Sequence, residues 1–439
     1  MKRNYLIPLV LVALVFSACA QPEPKMGIEW FQTGNTLAVT QLQPKQSREL
    51  EDNCVGDMWS LEPIHEWSLD TVINVGLKWT RLSIDWLDWN EVESTGAYSE
   101  YYIDPKQDKA ITDLANNGVK IVYILVFWDE AIQVEKEDYS RFKTEEEIQR
   151  YLDYVKFIVH HFKDRIEYYE ILNEPNIGQS TQQYVEVADY INLVERTIPV
   201  IRQEYPEAKI VPGAVTSLRE PGARDYFFTI LSADVMPLVD AVSWHCNNRK
   251  SPEYTPEYYY NYPTLVQEIK DMASVHGFKG EYIAEELHWR TSKNPHPDEP
   301  SIYSETVSAK YYARGIIMHL GMDVTVGLAE TSHELDLPKM TVIRNLCTIM
   351  AGTRPVSLPI EIQSEATNIK SYSFSLPNGD RLLVLWTDGV AVNDDPGIEA
   401  TLTFPGFPAQ KVIGIDVLNG FVQQMITSVE DGNLGVVCQ

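Results

Sequence analysis

The sequence predicts an α/β fold, a (β/α)8 TIM barrel followed by a small all-β sandwich domain. Two observations predict it. From about residue 65 to residue 350, short apolar runs alternate with amphipathic stretches, and after residue 355 only short strand-like runs remain. A doubly wound open sheet is the structural alternative, but no glycine-rich phosphate turn follows the first strand. The pattern therefore favours the barrel.

Seven apolar runs are the strand candidates. They cover residues 79–86, 119–128, 166–173, 208–214, 239–245, 281–287 and 322–329. Near-continuous apolar character is typical of parallel strands that are buried on both faces. A closed barrel needs an eighth strand, and the sequence places it near residues 54–59.

The segments between these runs have helical periodicity. In residues 145–162, Ile148, Leu152, Val155 and Phe162 fall on one helix face. Similar stretches cover residues 182–204, 265–276, 304–319 and 337–350. The alternation predicts a parallel sheet covered by helices, with the barrel extending over residues 54–354.

The region after residue 355 has a different character. Strand-like runs at 371–376, 382–386, 400–404 and 412–418 are separated by turn sequences such as Pro377-Asn378-Gly379. We expect an accessory β-sandwich over residues 355–439.

The N-terminus has the organisation of an export signal. Lys2 and Arg3 precede an apolar run at 6–16, which is too short to span a bilayer, and Ser17-Ala18-Cys19 follows. A bacterial lipobox, which would place a lipid on Cys19, is favoured over cleavage at 18–20 and free secretion. We expect a signal peptide at 1–19, a tether and lead-in at 20–53, and an extracytoplasmic location, with membrane contact only through that lipid.

Charge and cysteine spacing exclude some function classes. The formal net charge of -27 repels phosphate backbones, so no nucleic-acid partner is expected. The four cysteines besides Cys19 form no C-x-x-C pair, which argues against a zinc site. We expect neither a metal nor an organic cofactor, and the oligomeric state is not indicated.

The strongest local motif is Asn173-Glu174-Pro175, at the end of the fourth predicted strand. In a barrel, side chains at the carboxyl ends of strands face the active-site mouth. A carboxylic acid there can be desolvated and its pKa raised, as the work of a general acid requires. A loop or helix-capping Asn-Glu pair is the alternative.

Residues 168–176 resemble the fourth-strand motif of the clan A glycoside hydrolases, such as families 5 and 39, and the resemblance covers about residues 77–329. It implies that Glu174 is the acid/base and that Asn173 contacts the substrate. It also implies a second glutamate as nucleophile at the end of the seventh strand.

Two adjacent glutamates compete for the nucleophile position. Glu286, three residues before Trp289, is favoured, and Glu285, behind the small Ala284, is the alternative. Glu330, after the eighth strand, is a third candidate.

Further substrate-site residues follow from the resemblance and from the barrel geometry. Arg81 resembles the second-strand arginine that holds the nucleophile, with an interior ion pair as the alternative, and His245 resembles the sixth-strand histidine. Large flat rings at a barrel mouth suit stacking on sugars, which makes candidates of Trp86, Trp128, Trp244 and Trp289. The tyrosine-rich segment 254–262 is expected to be a loop, either a cleft wall or a packed surface loop.

The resemblance implies a retaining glycosidase that acts on the O-glycosidic bonds of a poly- or oligosaccharide. A surface lipoprotein barrel that binds glycans without cleaving them is the alternative, and a structural lipoprotein with a decayed barrel is a third. The sugar, the linkage and endo or exo action are not indicated.

Overall fold

The structure, a computed structural model, describes residues 12–16, 39–59, 66–83, 103, 105–127, 140–178, 183–246, 251–291, 303–329, 331, 334–395, 397–407 and 411–438. Two strands precede the barrel, β1 (Val12–Phe16) and β2 (Val39–Gln41). Both belong to the sandwich that follows the barrel in the chain.

The barrel contains eight parallel strands, as predicted. They are β3 (Val55–Trp59), β4 (Trp79–Leu82), β5 (Lys120–Leu125), β6 (Tyr168–Ile171), β7 (Lys209–Pro212), β8 (Ala241–His245), β9 (Glu281–Leu287) and β10 (Thr325–Leu328). Hydrogen-bonded pairing runs from β7 through β6, β5, β4, β3, β10 and β9 to β8. The amide of Asp240 donates to the Ile210 carbonyl and that of His245 to the Val215 carbonyl, at 2.9 and 3.1 Å. These bonds join β8 to β7 and its following loop, so the ring is closed.

Helices cover the outside of the ring. Those described are α1 (Glu66–Val75), α2 (Pro105–Asn116), α3 (Glu145–Phe162), α4 (Val187–Glu204), α5 (Pro221–Leu231), α6 (Pro256–Val275), α7 (Glu305–Gly321) and α8 (Pro338–Ile349). Helix α3 has the predicted bounds, and it begins where the Thr144 side chain accepts a hydrogen bond from the Glu147 amide. Its apolar stripe, including Ile148, Val155 and Phe162, is buried against the barrel.

Helix α6 corrects one prediction. The tyrosine-rich segment 254–262 was expected to be a loop, but Pro256 begins a helix there. Proline fits the first helical turn, whose amides have no intrahelical partner. Tyr258, Tyr259 and Tyr262 are consequently buried, whereas Tyr260 is exposed.

The sandwich has two antiparallel sheets. Its remaining strands are β11 (Arg354–Pro355), β12 (Glu361–Ser364), β13 (Ile369–Ser375), β14 (Arg381–Thr387), β15 (Ala400–Phe404), β16 (Val412–Asp416), β17 (Phe421–Gln424), β18 (Thr427–Glu430) and β19 (Asn433–Cys438). One sheet has the order β11-β13-β14-β1-β16-β17-β2, and the other has the order β12-β15-β19-β18. Leu383, Leu402, Phe404 and Val436 are buried between them.

The N-terminal strands change the predicted domain limits. Strand β2 pairs with β17, and Leu42 after it is buried, so residues 39–53 are a packed part of the fold rather than a tether. Strand β1 lies between β14 and β16 and pairs with both. It falls inside the segment that the sequence assigns to a signal peptide, and the same apolar residues suit a strand.

Among the described helices, none has the length and apolar character that a bilayer span requires. Cys54, Cys246, Cys347 and Cys438 are free thiols, and all but Cys54 are buried.

Candidate active site

The carboxyl ends of β6, β8 and β9 bring three predicted side chains together. Glu174 follows β6, His245 ends β8, and Glu286 lies near the end of β9. One oxygen of each carboxylate and a ring nitrogen of His245 lie within 4.8 Å of one another. Two carboxylates 112 residues apart in the sequence (286 - 174) thus share one position at the barrel mouth.

His245 lies between the two carboxylates. Its Nδ1 is 2.8 Å from Glu174 Oε1 and 3.3 Å from Glu286 Oε2. The imidazole is fully buried, whereas the side chains of Glu174 and Glu286 are 19% and 22% exposed. The two carboxylates are therefore partly exposed at the barrel mouth, and the histidine is buried beneath them.

The backbone at both glutamates is unusual. Glu174 and Glu286 have φ angles of 45° and 58°, in the left-handed region that non-glycine residues seldom occupy. Such conformations persist where the surrounding fold imposes them, and they cluster at functional sites. At Glu174 a backbone hydrogen bond holds this conformation, because the Glu174 amide donates to the Ala214 carbonyl at 2.8 Å.

A β-bulge accompanies the positive φ of Glu286. Ala284 pairs with Val326 and Leu287 pairs with Leu328, so β9 has one residue more than β10 in this interval. A bulge re-aims side chains that would otherwise alternate strictly across a strand. This explains how both Glu285 and Glu286 lie close to His245.

Below the mouth lies a buried charge cluster. Arg81 donates from Nε and Nη2 to the two oxygens of Glu170, both at 2.6 Å, and from Nη2 to Asn173 Oδ1 at 2.7 Å. Its Nε is also 3.2 Å from Glu285 Oε2. Arg81, Glu170 and Glu285 are fully buried. Arg81 is the interior ion pair that the sequence allowed as an alternative, and its burial contradicts direct substrate binding.

The site shifts the pKa values of its members. Burial alone would raise the pKa of Glu174, but the hydrogen bond and charge of His245, with Arg81, outweigh it and hold that pKa below its ordinary value. Burial would lower the pKa of His245, but Glu286 and Glu174 raise it to about 9. Burial raises the pKa of Glu285 to about 8, against the opposing charge of Arg81. The pKa of Glu174 is thus lowered, opposite to the raised value expected of a general acid, and the pKa of the adjacent His245 is raised.

Glu174, His245 and Glu286 are also spaced as three ligands of a metal ion would be. A metal ion bound there would have to displace the proton that the two carboxylates favour on the ring, since a ligating imidazole is neutral. The arrangement is suited to moving a proton. The absence of a cofactor stays a prediction.

Two of the predicted sugar platforms are wrong. Trp244 is fully buried, and its indole N–H donates to the Tyr262 hydroxyl at 3.0 Å. Because His245 points into the barrel, the preceding residue points outward to the helices. Trp289 is also buried, with its ring stacked on Tyr311 of α7. Neither ring presents a face to a ligand.

Four other predicted residues lie outside the described part of the chain: Cys19, Trp86, Trp128 and Glu330. Their proposed roles stay predictions.

Glu170 is a buried member of the charge cluster that the sequence analysis did not single out. It is a charged side chain inside the apolar fourth strand, four residues before Glu174, and its Oε1 also accepts from the Ala214 amide at 3.0 Å. A buried carboxylate requires a partner. The sequence feature that could have identified Glu170 is an acidic residue in the middle of an otherwise apolar strand.

A cavity of about 380 Å³ lies at the opposite end of the barrel, where the strands begin, with Trp79, Lys120 and Glu281 in its lining. Lys120 pairs there with Asp52 at 2.7 Å, and Glu281 pairs with Lys209 at 3.0 Å. This end of a barrel generally contributes stability rather than catalysis, and the paired charges fit that role.

A closed (β/α)8 barrel with glutamates after its fourth strand and at the end of its seventh is the arrangement of the clan A glycoside hydrolases. The family model described as Glycosyl hydrolase family 1 matches residues 45–189, which include Glu174. No curated protein matches the chain in sequence. The family match and the fold together support a clan A glycoside hydrolase, and with it a glycosidase.

Solved structures share the fold at low sequence identity. A family 39 glycoside hydrolase from Bacteroides cellulosilyticus WH2 is 15% identical with a TM-score of 0.62, covering 90% of this chain and 81% of that one. A glucosidase from Croceicoccus marinus is 11% identical with a TM-score of 0.50, covering 90% and 96%. SrfJ from Salmonella typhimurium is 10% identical with a TM-score of 0.50, covering 97% and 99%. In all three cases the covered share of this chain exceeds the barrel, so the likeness in fold extends into the sandwich.

Proposed function

We propose that the protein is a retaining glycosidase that cleaves O-glycosidic bonds of a poly- or oligosaccharide by double displacement. The observation that carries the proposal is the spacing of Glu174 and Glu286, whose nearest oxygens lie within 4.8 Å. Retaining enzymes hold their two carboxyl groups about 5–5.5 Å apart, whereas inverting enzymes leave about 6.5–9.5 Å for a water molecule. The spacing favours retention.

Glu286 acts as the nucleophile in this proposal. Its carboxylate is partly exposed at the barrel mouth, whereas that of Glu285 is fully buried. Glu286 attacks the anomeric carbon and forms a glycosyl ester, while Glu174 delivers a proton to the departing oxygen. Glu174 then takes a proton from water as the ester is hydrolysed.

Asn173 and the buried cluster support this chemistry. The Asn173 side chain is partly exposed, and Arg81 fixes its oxygen at 2.7 Å, which leaves its NH2 group to bind a sugar hydroxyl. Groups whose orientation is fixed before substrate arrives lose little entropy on binding.

The test is hydrolysis of a panel of aryl glycosides and polysaccharides, with NMR of the first anomer released. We expect net retention, and loss of activity in Glu174→Gln and Glu286→Gln. Glu281→Gln, at the opposite end of the same strand, is the matched control and should stay active. Inversion would contradict the mechanism, and binding of glycans without any product would favour the non-catalytic alternative.

We further propose that the enzyme works outside the cytoplasm, either anchored through a lipid on Cys19 or secreted. The charged and apolar residues before Cys19 support export. Metabolic labelling with a radioactive fatty acid tests the anchor, because Cys19→Ala should abolish labelling. Labelling that survives Cys19→Ala would contradict it.

A further inference from the structure

The His245 ring is bracketed by carboxylates at both nitrogens. Its Nδ1 faces Glu174 at 2.8 Å and Glu286 at 3.3 Å, and its Nε2 faces Glu285 at 3.8 Å. Ionised carboxylates only accept hydrogen bonds, whereas a neutral imidazole has one donor and one acceptor nitrogen. Nδ1 must therefore carry a hydrogen to face two acceptors, and the negative charges of Glu174 and Glu286 favour the imidazolium form of the ring.

The other nearby cation is engaged elsewhere. Arg81 directs two nitrogens to Glu170 at 2.6 Å, and its remaining short contacts are with Asn173 and Glu285. Among the charged groups described around the site, His245 is thus the cation in direct contact with both Glu174 and Glu286.

We propose that His245 stores the catalytic proton and passes it through Nδ1 to Glu174, so that the acid/base residue rests as a carboxylate. This inference rests on the proposed retaining mechanism and adds a group to it. His245 acts through Glu174 rather than on the sugar.

The proton balance closes over both steps. In the first step, Glu286 forms a bond to the anomeric carbon, the glycosidic C–O bond breaks, and the departing oxygen takes a proton from Glu174. Glu174 receives that proton from His245 Nδ1 across the 2.8 Å hydrogen bond. Glu286 loses its negative charge as an ester while His245 loses its positive charge, so the net charge of the three groups does not change.

The second step reverses these transfers. Water bonds to the anomeric carbon, the ester bond breaks, and Glu286 recovers its carboxylate. The proton from water passes to Glu174 and then to His245. The pKa directions agree with this storage, since the pKa of Glu174 is lowered and that of His245 is raised to about 9.

The discriminating variant is His245→Asn, which keeps a polar side chain but cannot titrate. Substrates with poor leaving groups, such as alkyl glycosides, need a proton donor, whereas dinitrophenyl glycosides do not. We expect kcat/KM to fall about 10²–10³-fold for the former, in the range for lost general-acid catalysis, and less than about 10-fold for the latter. The basic limb of the kcat/KM profile, near pH 9 in the parent, should move to lower pH.

His319→Asn is the matched control, because His319 is also fully buried but contacts Tyr262, outside the site. This variant should leave the ratio of kcat/KM between alkyl and dinitrophenyl glycosides unchanged. Equal losses of kcat/KM on both substrates in His245→Asn, or a basic limb at the same pH as in the parent, would overturn the proposal that His245 stores the proton. If the Asn variant does not fold, 15N NMR of the parent decides: a His245 pKa near 9 supports the proposal, and one below 7 overturns it.

Failure of the broader mechanism would look different. A parent enzyme that hydrolyses no glycoside and is not labelled by a dinitrophenyl 2-fluoro-glycoside would lack the retaining activity itself. Labelling of Glu286 in both parent and His245→Asn, with no leaving-group dependence in the variant, would refute only the role of His245.

Discussion

Glu285 and Glu286 are consecutive in the chain, yet the side chain of Glu285 is fully buried beside Arg81 and that of Glu286 is partly exposed at the barrel mouth. The positive φ of Glu286 and the bulge opposite Gly327 separate them. The two carboxylates consequently have different roles, one in the interior charge cluster and one at the proposed site of attack.

Exchange of each glutamate for glutamine should separate these roles. We expect Glu286→Gln to lower kcat at least about 10⁴-fold, because an amide is a poor nucleophile. Glu285→Gln should cost less than about 100-fold at pH 6, since its neutral carboxyl and an amide have nearly the same shape.

Intact-mass measurement after incubation with a 2-fluoro-glycoside provides the second measurement. Glu285→Gln should gain the mass of the sugar, and Glu286→Gln should not. A label on the peptide of Glu285 or Glu330 would assign the nucleophile differently.

The pH dependence of stability should report the buried cluster. The pKa of Glu285 is raised to about 8, so the folded chain binds its proton between about pH 4.5 and 8, where the unfolded chain does not. The contribution of Glu285 to the free energy of unfolding therefore falls as the pH rises from about 4.5 to 8. The pKa of His245, raised to about 9, acts in the same direction: its contribution is complete below about pH 6.5 and is lost as pH rises through 9.

Urea unfolding of the parent and of Glu285→Gln at pH 5, 6, 7 and 8 measures this. With each pH unit, the free energy of unfolding of the parent should fall by up to about 1.4 kcal/mol more than that of the variant, which corresponds to one bound proton. Parallel stability profiles would show that Glu285 is ionised in the folded protein at neutral pH.

The sequence predicts the barrel well because burial on both strand faces leaves a strong apolar pattern. It places Glu174 correctly at a strand end, and α3 with its exact bounds, since the Thr144 cap and the apolar stripe are both local features. These features depend on neighbours within a few residues of one another in the chain.

Other features depend on contacts between distant segments. Strict alternation would send Glu285 and Glu286 to opposite sides of β9, and only the pairing with β10 reveals the bulge. The same alternation, applied to Trp244 beside the inward His245, would have predicted its burial. The apolar run before Cys19 suits both a signal peptide and a strand, so the run by itself does not distinguish them.

The ion pair between Arg81 and Glu170 should be costly to break from one side. Arg81→Met leaves Glu170 and Glu285 without their buried cation, and loss of one partner of a buried pair costs about 3–5 kcal/mol. Adding Glu170→Gln removes the uncompensated charge of Glu170, so the double variant should be more stable than the sum of the single effects implies. Chemical denaturation of the three variants measures the coupling, and strict additivity would show that the two side chains do not depend on each other.

The N-terminal strand leads to a prediction about processing. Strand β1 is antiparallel to both β14 and β16, so its removal leaves two strands without their shared neighbour. A chain that begins at Cys19 should then lose about 1 kcal/mol for each ladder hydrogen bond that no other segment replaces. N-terminal sequencing of the exported protein, with urea unfolding of the full chain and of a chain beginning at Cys19, measures this. Equal stability of the two chains would contradict a stabilising role for β1 and would be consistent with removal of residues 1–18 on export.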